Sequence, residues 1–182
     1  MKRIAILFSG EGSNLKYILD NMHNVDLEVV VAITNNPKAK GLAHAKEHKI
    51  PYLILDSNQV TRDEFDYLIV ERLIQYNPDL TVLAGFMRKV TPYFLRYIKS
   101  INLHPSFLPL HKGLNAIEKS YFDDLPYGGI TIHHVSEELD AGEIIFQEKI
   151  YKDNLSLDEF KEKVNNLEKP LLEKGIKIVL DS

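Results

Sequence analysis

Two short stretches of this chain bring together residue types that do carbonyl chemistry. Residues 101–105 read Ile-Asn-Leu-His-Pro, and residues 137–142 read Glu-Glu-Leu-Asp-Ala-Gly. On extended chain, Asn102 and His104 are two residues apart and project from the same face. An amide N–H can polarise a carbonyl, an imidazole can carry a proton, and a carboxylate beside it, Asp140, favours the charged ring. If the fold brings Asp140 alongside, the set suits attack on a carbonyl and requires neither a metal nor a covalent intermediate. Each residue alone also has a plainer reading: a buried histidine satisfied by backbone groups, a turn-forming asparagine, a solvated turn aspartate.

A second candidate lies near the start, Ser9-Gly10-Glu11-Gly12-Ser13-Asn14. Glycines there let backbone approach a ligand, and the helix that follows offers free N–H groups and a positive dipole end to an anion. Gly10-x-Gly12 also begins a dinucleotide fingerprint, but Leu15 stands where the third glycine belongs. Asn35 and Asn36 stand where an acidic residue would close the second strand. Binding of a nicotinamide cofactor is therefore not expected, and a single phosphate monoester fits better. A first βα turn can equally require glycine for geometry alone, and both readings stay open. Arg62, Arg88 and Lys89 could meet an anionic ligand or serve as surface charge. His133 and His134 are adjacent on a strand and face opposite sides, so core packing for one and solvent for the other is the default. With no cysteine and no paired-histidine helical spacing, no metal site is predicted.

These residues need elements to hold them. Residues 2–8 read as a strand buried on both faces, 13–22 as a helix, and 27–34 as a β-branched strand closed by Asn35-Asn36-Pro37. A helix over about 40–48 and a short strand at 52–55 follow. Thr61 with Glu64 forms a capping box opening a helix to Tyr76, with Phe65, Leu68, Ile69 and Leu73 at helical spacing. A strand at 80–84, a helix at 92–99 and a strand at 100–103 complete an alternating order. That order predicts an α/β, Rossmann-like fold with a mostly parallel central sheet and helices on both faces. Ligands on such sheets bind beyond the carboxyl ends of strands, which places the glycine turn and the Asn102–His104 pair on one rim.

Beyond residue 105 the pattern changes. A Pro/Gly-punctuated loop spans 105–114, and 115–122 is helical in pattern. Strands at 129–135 and 143–151 add antiparallel strands in the C-terminal half. A last helix opens at the Ser156/Glu159 capping box, and Pro170 is expected to kink or break it.

Composition bounds the function. Of 182 residues, 45% are hydrophobic and 26% charged, with a formal net charge of −4 and no cysteine. That is a balance for one globular domain with ample core. It offers no basic surface to nucleic acid, no membrane-length apolar run and no disulfide framework. A soluble, cytoplasmic protein is expected, without nucleic-acid or membrane partners.

Four stretches together resemble the glycinamide ribonucleotide (phosphoribosylglycinamide) formyltransferases of purine synthesis. They are Ser9 to Leu15, Leu83 to Arg88, Asn102 to Pro109 with Gly113, and Gly129 to His133 continuing through Glu138-Leu-Asp140 to Gln147. They lie in order over nearly the whole chain. The resemblance implies a formyltransferase fold in one domain, residues 1–182, with a phosphate-binding half (about 1–100) and a folate and catalytic half (about 101–182). It implies transfer of a formyl group from 10-formyltetrahydrofolate to the amine of glycinamide ribonucleotide in de novo purine biosynthesis, with no metal and no nicotinamide cofactor. Asn102, His104 and Asp140 match the family's catalytic positions. Gly12, Ser13 and Asn14 match its phosphate turn, and Asn165, Asn166, Leu167 and Glu168 match the stretch holding the rest of the ribonucleotide. Arg62, Met87, Arg88, Lys89, Val90, Ser136, Glu137, Glu138, Leu139 and Asp140 match folate-contacting positions. By opposite-charge interaction Asp140 is expected to raise the pKa of His104, and a monomer or a homodimer is left open.

Three features depart from the pattern. Ala141 stands where a second glycine is usual and would stiffen the loop, Glu11 adds an acid beside the phosphate turn, and the chain ends early. Related folate-dependent enzymes are rivals: formyltetrahydrofolate deformylase, methionyl-tRNA formyltransferase and sugar N-formyltransferases. The first two usually carry an added domain for which 182 residues leave no room. A non-catalytic folate- or nucleotide-sensing domain is the rival of another class, and it has little need of a proton-transfer group.

Overall fold

Apolar runs and turn residues alternate along this chain, and the computed structural model, which describes residues 1–182, turns each run into an element. In chain order these are β1 (Lys2–Phe8), α1 (Ser13–Asn21), β2 (Leu27–Thr34), α2 (Leu42–Glu47), β3 (Tyr52–Ile54), α3 (Arg62–Tyr76) and β4 (Leu80–Leu83). Then follow α4 (Pro92–Tyr97), β5 (Ser100–His104), α5 (Ala116–Phe122), β6 (Tyr127–His134), β7 (Ile144–Tyr151) and α6 (Leu157–Asp181). The strands hydrogen-bond in the order β3-β2-β1-β4-β5-β6-β7, a mixed seven-stranded sheet. The chain divides into two compact units, Met1–Ile101 and Asn102–Ser182.

In the first unit β1 pairs in parallel with β2 and β4, and β2 with β3. Residues 4–8 of β1 and 29–34 of β2 are all buried, as parallel strands covered on both faces require. The strands end together near Phe8 and Thr34, which are register partners, so the turn at Ser9–Gly12 opens from the carboxyl end of that sheet. The capping box of α3 is present as predicted. Thr61 Oγ1 accepts from the Glu64 N–H at 3.2 Å, and Glu64 Oε2 accepts from the Thr61 N–H at 2.8 Å. Phe65, Ile69, Val70 and Leu73 form its buried stripe.

In the second unit β6 and β7 pair antiparallel, from Tyr127 with Tyr151 to His133 with Ile144. Gly128 and Gly129 lie where backbone and rings close in. A Cβ on Gly128 would stand 2.9 Å from the Phe160 ring, and one on Gly129 2.7 Å from the Glu148 carbonyl. The Ser156/Glu159 capping box opens α6 as predicted.

Pro170 does not break that helix, which runs for 25 residues through it. The ring costs a backbone hydrogen bond and about 3 kcal/mol in a helix interior. Burial is what offsets this. Phe160 and Val164 before the proline and Leu171, Leu172, Ile176 and Val179 after it are all buried, and Pro170 itself is exposed. Each fully buried side chain of that kind contributes roughly 1.5–3 kcal/mol, so the apolar stripe outweighs one missing bond. No helix is long and apolar enough to cross a membrane.

Candidate active site

The end of β5 and the loop before β7 meet within the second unit. Asp140 Oδ2 lies 3.3 Å from His104 Nδ1, and Asp140 Oδ1 accepts from Asn102 Nδ2 at 3.5 Å. The three residues singled out from the sequence are therefore brought together. His104 and Asp140 are about 5% exposed, whereas Asn102 is half-buried and open to a ligand.

Local backbone explains why Asp140 reaches in. Its φ is +51°, a left-handed conformation that aspartate tolerates better than most side chains. The Gly113 N–H donates to Asp140 Oδ2 at 2.9 Å, tying the loop to the segment after β5. Gly142 packs against the His134 carbonyl so closely that a Cβ there would run into it. Ala141 has no positive φ, so alanine stands there without backbone strain.

The ring of His104 is held from both sides. Its Nε2 lies 2.8 Å from the His111 carbonyl oxygen, which can only accept, so Nε2 carries the hydrogen. Nδ1 therefore faces Asp140. Burial pushes the His104 pKa below its ordinary value. The His111 carbonyl and Asp140 pull it upward but do not prevail, and His133 and His111 add to the downward push. Asp140 thus acts upward on this pKa, as expected of an opposite charge, but desolvation makes the net shift downward. Asp140 behaves oppositely. Burial pushes its carboxyl up, yet the His133 and Gly113 hydrogen bonds, with the charges of His104 and His133, hold it below the usual range.

His133 is the site residue that sequence reasoning missed. It is buried, with Nε2 3.6 Å from Asp140 Oδ1 and 3.3 Å from Asn102 Nδ2. Its Nδ1 lies 2.9 Å from the His134 carbonyl and so carries a hydrogen. In the neutral ring Nε2 then accepts from the Asn102 amide, which orients it. The alternation on β6 did send His133 and His134 to opposite faces, with His134 half-buried. What alternation could not tell was that the inward face is polar at that point. The signal was available: a histidine one residue from the strand's end, just before a loop that carries an acid.

In the first unit, Gly12 caps α1 with φ +72° and ψ +31°, and a Cβ there would stand 2.7 Å from Gly41 Cα. Geometry alone thus demands this glycine. The first turn of α1 has no side-chain cap, Ser13 is exposed, and Asn14 Oδ1 is buried without a hydrogen-bond partner. Glu11 forms an exposed ion pair with Lys40 at 2.8 Å. Arg62 and Lys89 are exposed, as is Met87, while Val90 is buried in the core. Arg88 lies over the Phe65 ring at 4.3 Å, with a buried Nε that has no partner.

In the second unit, Ser136 Oγ donates to the Glu138 carbonyl at 2.8 Å, and Lys112 pairs with Glu138 at 2.9 Å. Glu137 and Leu139 are exposed. On α6, Asn165 and Asn166 are exposed and Leu167 and Glu168 half-buried, all four in the turns before Pro170.

This arrangement has counterparts in known proteins. A family model described as formyl transferase matches residues 2–176. The crystal structure of phosphoribosylglycinamide formyltransferase from Campylobacter jejuni superimposes with a TM-score of 0.95 at 43% identity, covering 98% of this chain and 97% of that one. Phosphoribosylglycinamide formyltransferase of Haemophilus influenzae is 39% identical over 155 residues, 82% of this chain and 73% of that protein. The trifunctional purine biosynthetic protein adenosine-3 of Chironomus tentans is 32% identical over 186 residues, which is 98% of this chain but only 14% of that protein.

Proposed function

The chain belongs to the formyl transferase family, and from that premise we propose that it moves a formyl group from 10-formyltetrahydrofolate to the amine of glycinamide ribonucleotide, in the cytoplasm, as a step of purine biosynthesis. The observation that carries the reading is the Asn102–His104–Asp140 cluster, with its bare imidazole nitrogen facing a carboxylate.

The primary amine attacks the formyl carbon, giving a tetrahedral intermediate with negative charge on oxygen and positive charge on nitrogen. Asn102 donates to the oxyanion, exchanging one of its long contacts of 3.3 and 3.5 Å for a shorter one. A preorganised donor of this kind lowers a barrier by roughly 2.7–4 kcal/mol. His104, whose lowered pKa leaves it neutral near pH 7, takes the proton from the new C–N nitrogen on Nδ1. Asp140 stabilises the imidazolium that forms. The same proton then passes to the departing folate nitrogen, so tetrahydrofolate leaves neutral and the imidazole is restored. Proton transfer of this kind contributes typically about 10²–10⁴-fold.

Gly12, Ser13 and Asn14 hold the ribonucleotide phosphate in this reading. Support comes from the start of α1, whose first N–H groups have no side-chain acceptor and are available to an anion. Asn165 to Glu168 hold the remainder of the ribonucleotide. Arg62, Met87 to Lys89 and Ser136 to Leu139 contact the folate through side chains, and Val90, buried in the core, contributes backbone only.

The deciding experiment incubates the protein with 10-formyltetrahydrofolate and either glycinamide ribonucleotide or water. Tetrahydrofolate release that depends on the ribonucleotide is the expected result. Release in water alone identifies a deformylase and overturns the proposal.

A further inference from the structure

We propose that Asp123 is a positioning residue for His104, acting through the backbone of His111; this rests on the reading of His104 as the proton carrier. His104 has one strong partner, the His111 carbonyl at 2.8 Å, and one looser partner, Asp140 at 3.3 Å. The carbonyl is therefore the pivot that keeps the hydrogen on Nε2 and leaves Nδ1 to exchange protons. That carbonyl is presented by a residue in an uncommon conformation: His111 has φ +54°, a left-handed geometry that a side chain other than glycine keeps only when its surroundings hold it.

What holds it is its own side chain. His111 Nε2 lies 2.5 Å from Asp123 Oδ2. The other oxygen of Asp123, Oδ1, accepts from Lys152 Nζ at 2.8 Å and from the Leu125 N–H at 3.0 Å, and Lys152 also donates to the Asp123 carbonyl at 2.9 Å. Asp123 is itself fixed at the end of α5, where its N–H donates to the Lys119 carbonyl. Burial pushes the Asp123 carboxyl up, but its bonds to Lys152, His111 and Leu125 hold it below its ordinary value, so it is ionised wherever the protein is folded near neutrality. A chain of contacts thus runs from Lys152, just after β7, through Asp123 and the His111 side chain to the His111 carbonyl and His104. Ser106 Oγ, donating to the neighbouring Leu110 carbonyl at 2.5 Å, pins the same turn from its other side. None of Asp123, Lys152 or the His111 side chain touches the reacting cluster directly.

Four full-length variants test this: Asp123→Asn, His111→Ala, His111→Gly and His111→Gln. Glutamine can still offer an N–H to Asp123, whereas glycine adopts the left-handed backbone freely but loses the tether. Misplacing a catalytic group by about 1 Å costs up to roughly 100-fold. The expected result is therefore kcat reduced roughly 10- to 100-fold in Asp123→Asn, His111→Ala and His111→Gly. Both KM values stay within about twofold, and His111→Gln stays close to the parent protein. Nitrogen-15 NMR of the histidine rings is expected to show His104 as the Nε2–H form in the parent and a mixture of tautomers in Asp123→Asn. Unchanged kcat and unchanged His104 ring signals in the folded variants would overturn the proposal, as would full activity in His111→Gly. If Asp123→Asn fails to fold, the His111 series decides. His104→Ala is the control on the underlying reading. Full activity there removes the proton-carrier role, while the NMR comparison still reports on the pivot.

Discussion

The two candidate regions are built on opposite plans. In the second unit the polar groups at the end of β5 are packed against one another: Asp140 accepts from the Gly113 N–H and the Asn102 amide and lies beside His104 and His133. In the first unit the start of α1 after Gly12 has no side-chain cap, and Ser13 there is exposed. The difference fits the roles proposed for each. A proton carrier works only if its tautomer and pKa are set in advance, which takes fixed neighbours in a site shielded from water. A phosphate cradle works by leaving donors unsatisfied until the anion arrives.

The largest expected effect breaks or upholds that contrast at its centre. Asp140→Asn keeps the shape and removes the charge that stabilises the imidazolium. Turnover is expected to fall by about 10²–10⁴-fold while the KM for the ribonucleotide moves little. Steady-state kinetics with both substrates varied checks this, and an unchanged kcat refutes the assigned role. The opposite signature is expected for Gly12→Ala. Its φ of +72° and the backbone of Gly41 at 2.7 Å from the new Cβ make the turn shift. The variant should lose about 1–3 kcal/mol of stability and bind the ribonucleotide more weakly, with a smaller effect on kcat. Urea titration and calorimetric binding separate the two effects.

Acid sharpens the comparison further. His104 in the second unit and His23 in the first both have pKa values lowered from 6.5, each chiefly by burial. Below pH 6.5 the unfolded chain therefore takes up protons before the folded one, and stability falls as pH falls through that window. Asp140 and Asp123 have pKa values lowered from 3.8. Their contribution is complete above that value and is lost only at lower pH, as the pH falls through their folded pKa values. Melting temperatures are expected to decline in these two separate steps. His104→Asn should flatten the first step in part and leave the share of His23, so an unaltered profile in that variant would count against the burial argument. The smallest effect is expected at Glu11→Gln. Its ion pair with Lys40 is exposed, and such pairs are worth about 0–1 kcal/mol. Stability and ribonucleotide affinity should barely move, and a large gain in affinity would mean that Glu11 faces the phosphate.

Much of the fold was legible because strands buried on both faces and capping boxes write themselves in local residue order. β1, β2, α3 and the start of α6 fall where the apolar runs and the Thr61/Glu64 and Ser156/Glu159 pairs put them. That α6 continues through Pro170 was not legible, because a local rule about one missing hydrogen bond competes with burial along the rest of the helix, and burial is not local. The net direction of the His104 pKa was not legible for a related reason. The attraction of Asp140 is pairwise and easily guessed, whereas desolvation depends on everything packed around the ring.

Residue order by itself determined the element types and the parallel character of the first half, which depend on periodicity and residue type, and it marked Asn102, His104 and Asp140 as candidates for the proposed chemistry. Tertiary structure alone decided that His133 joins them and that His111 presents its carbonyl to His104. It also decided that Asp140 enters from a left-handed turn closed by Gly142. Such contacts link residues far apart in the chain. Their distances are fixed by how strands and loops pack, and no spacing in one dimension encodes them.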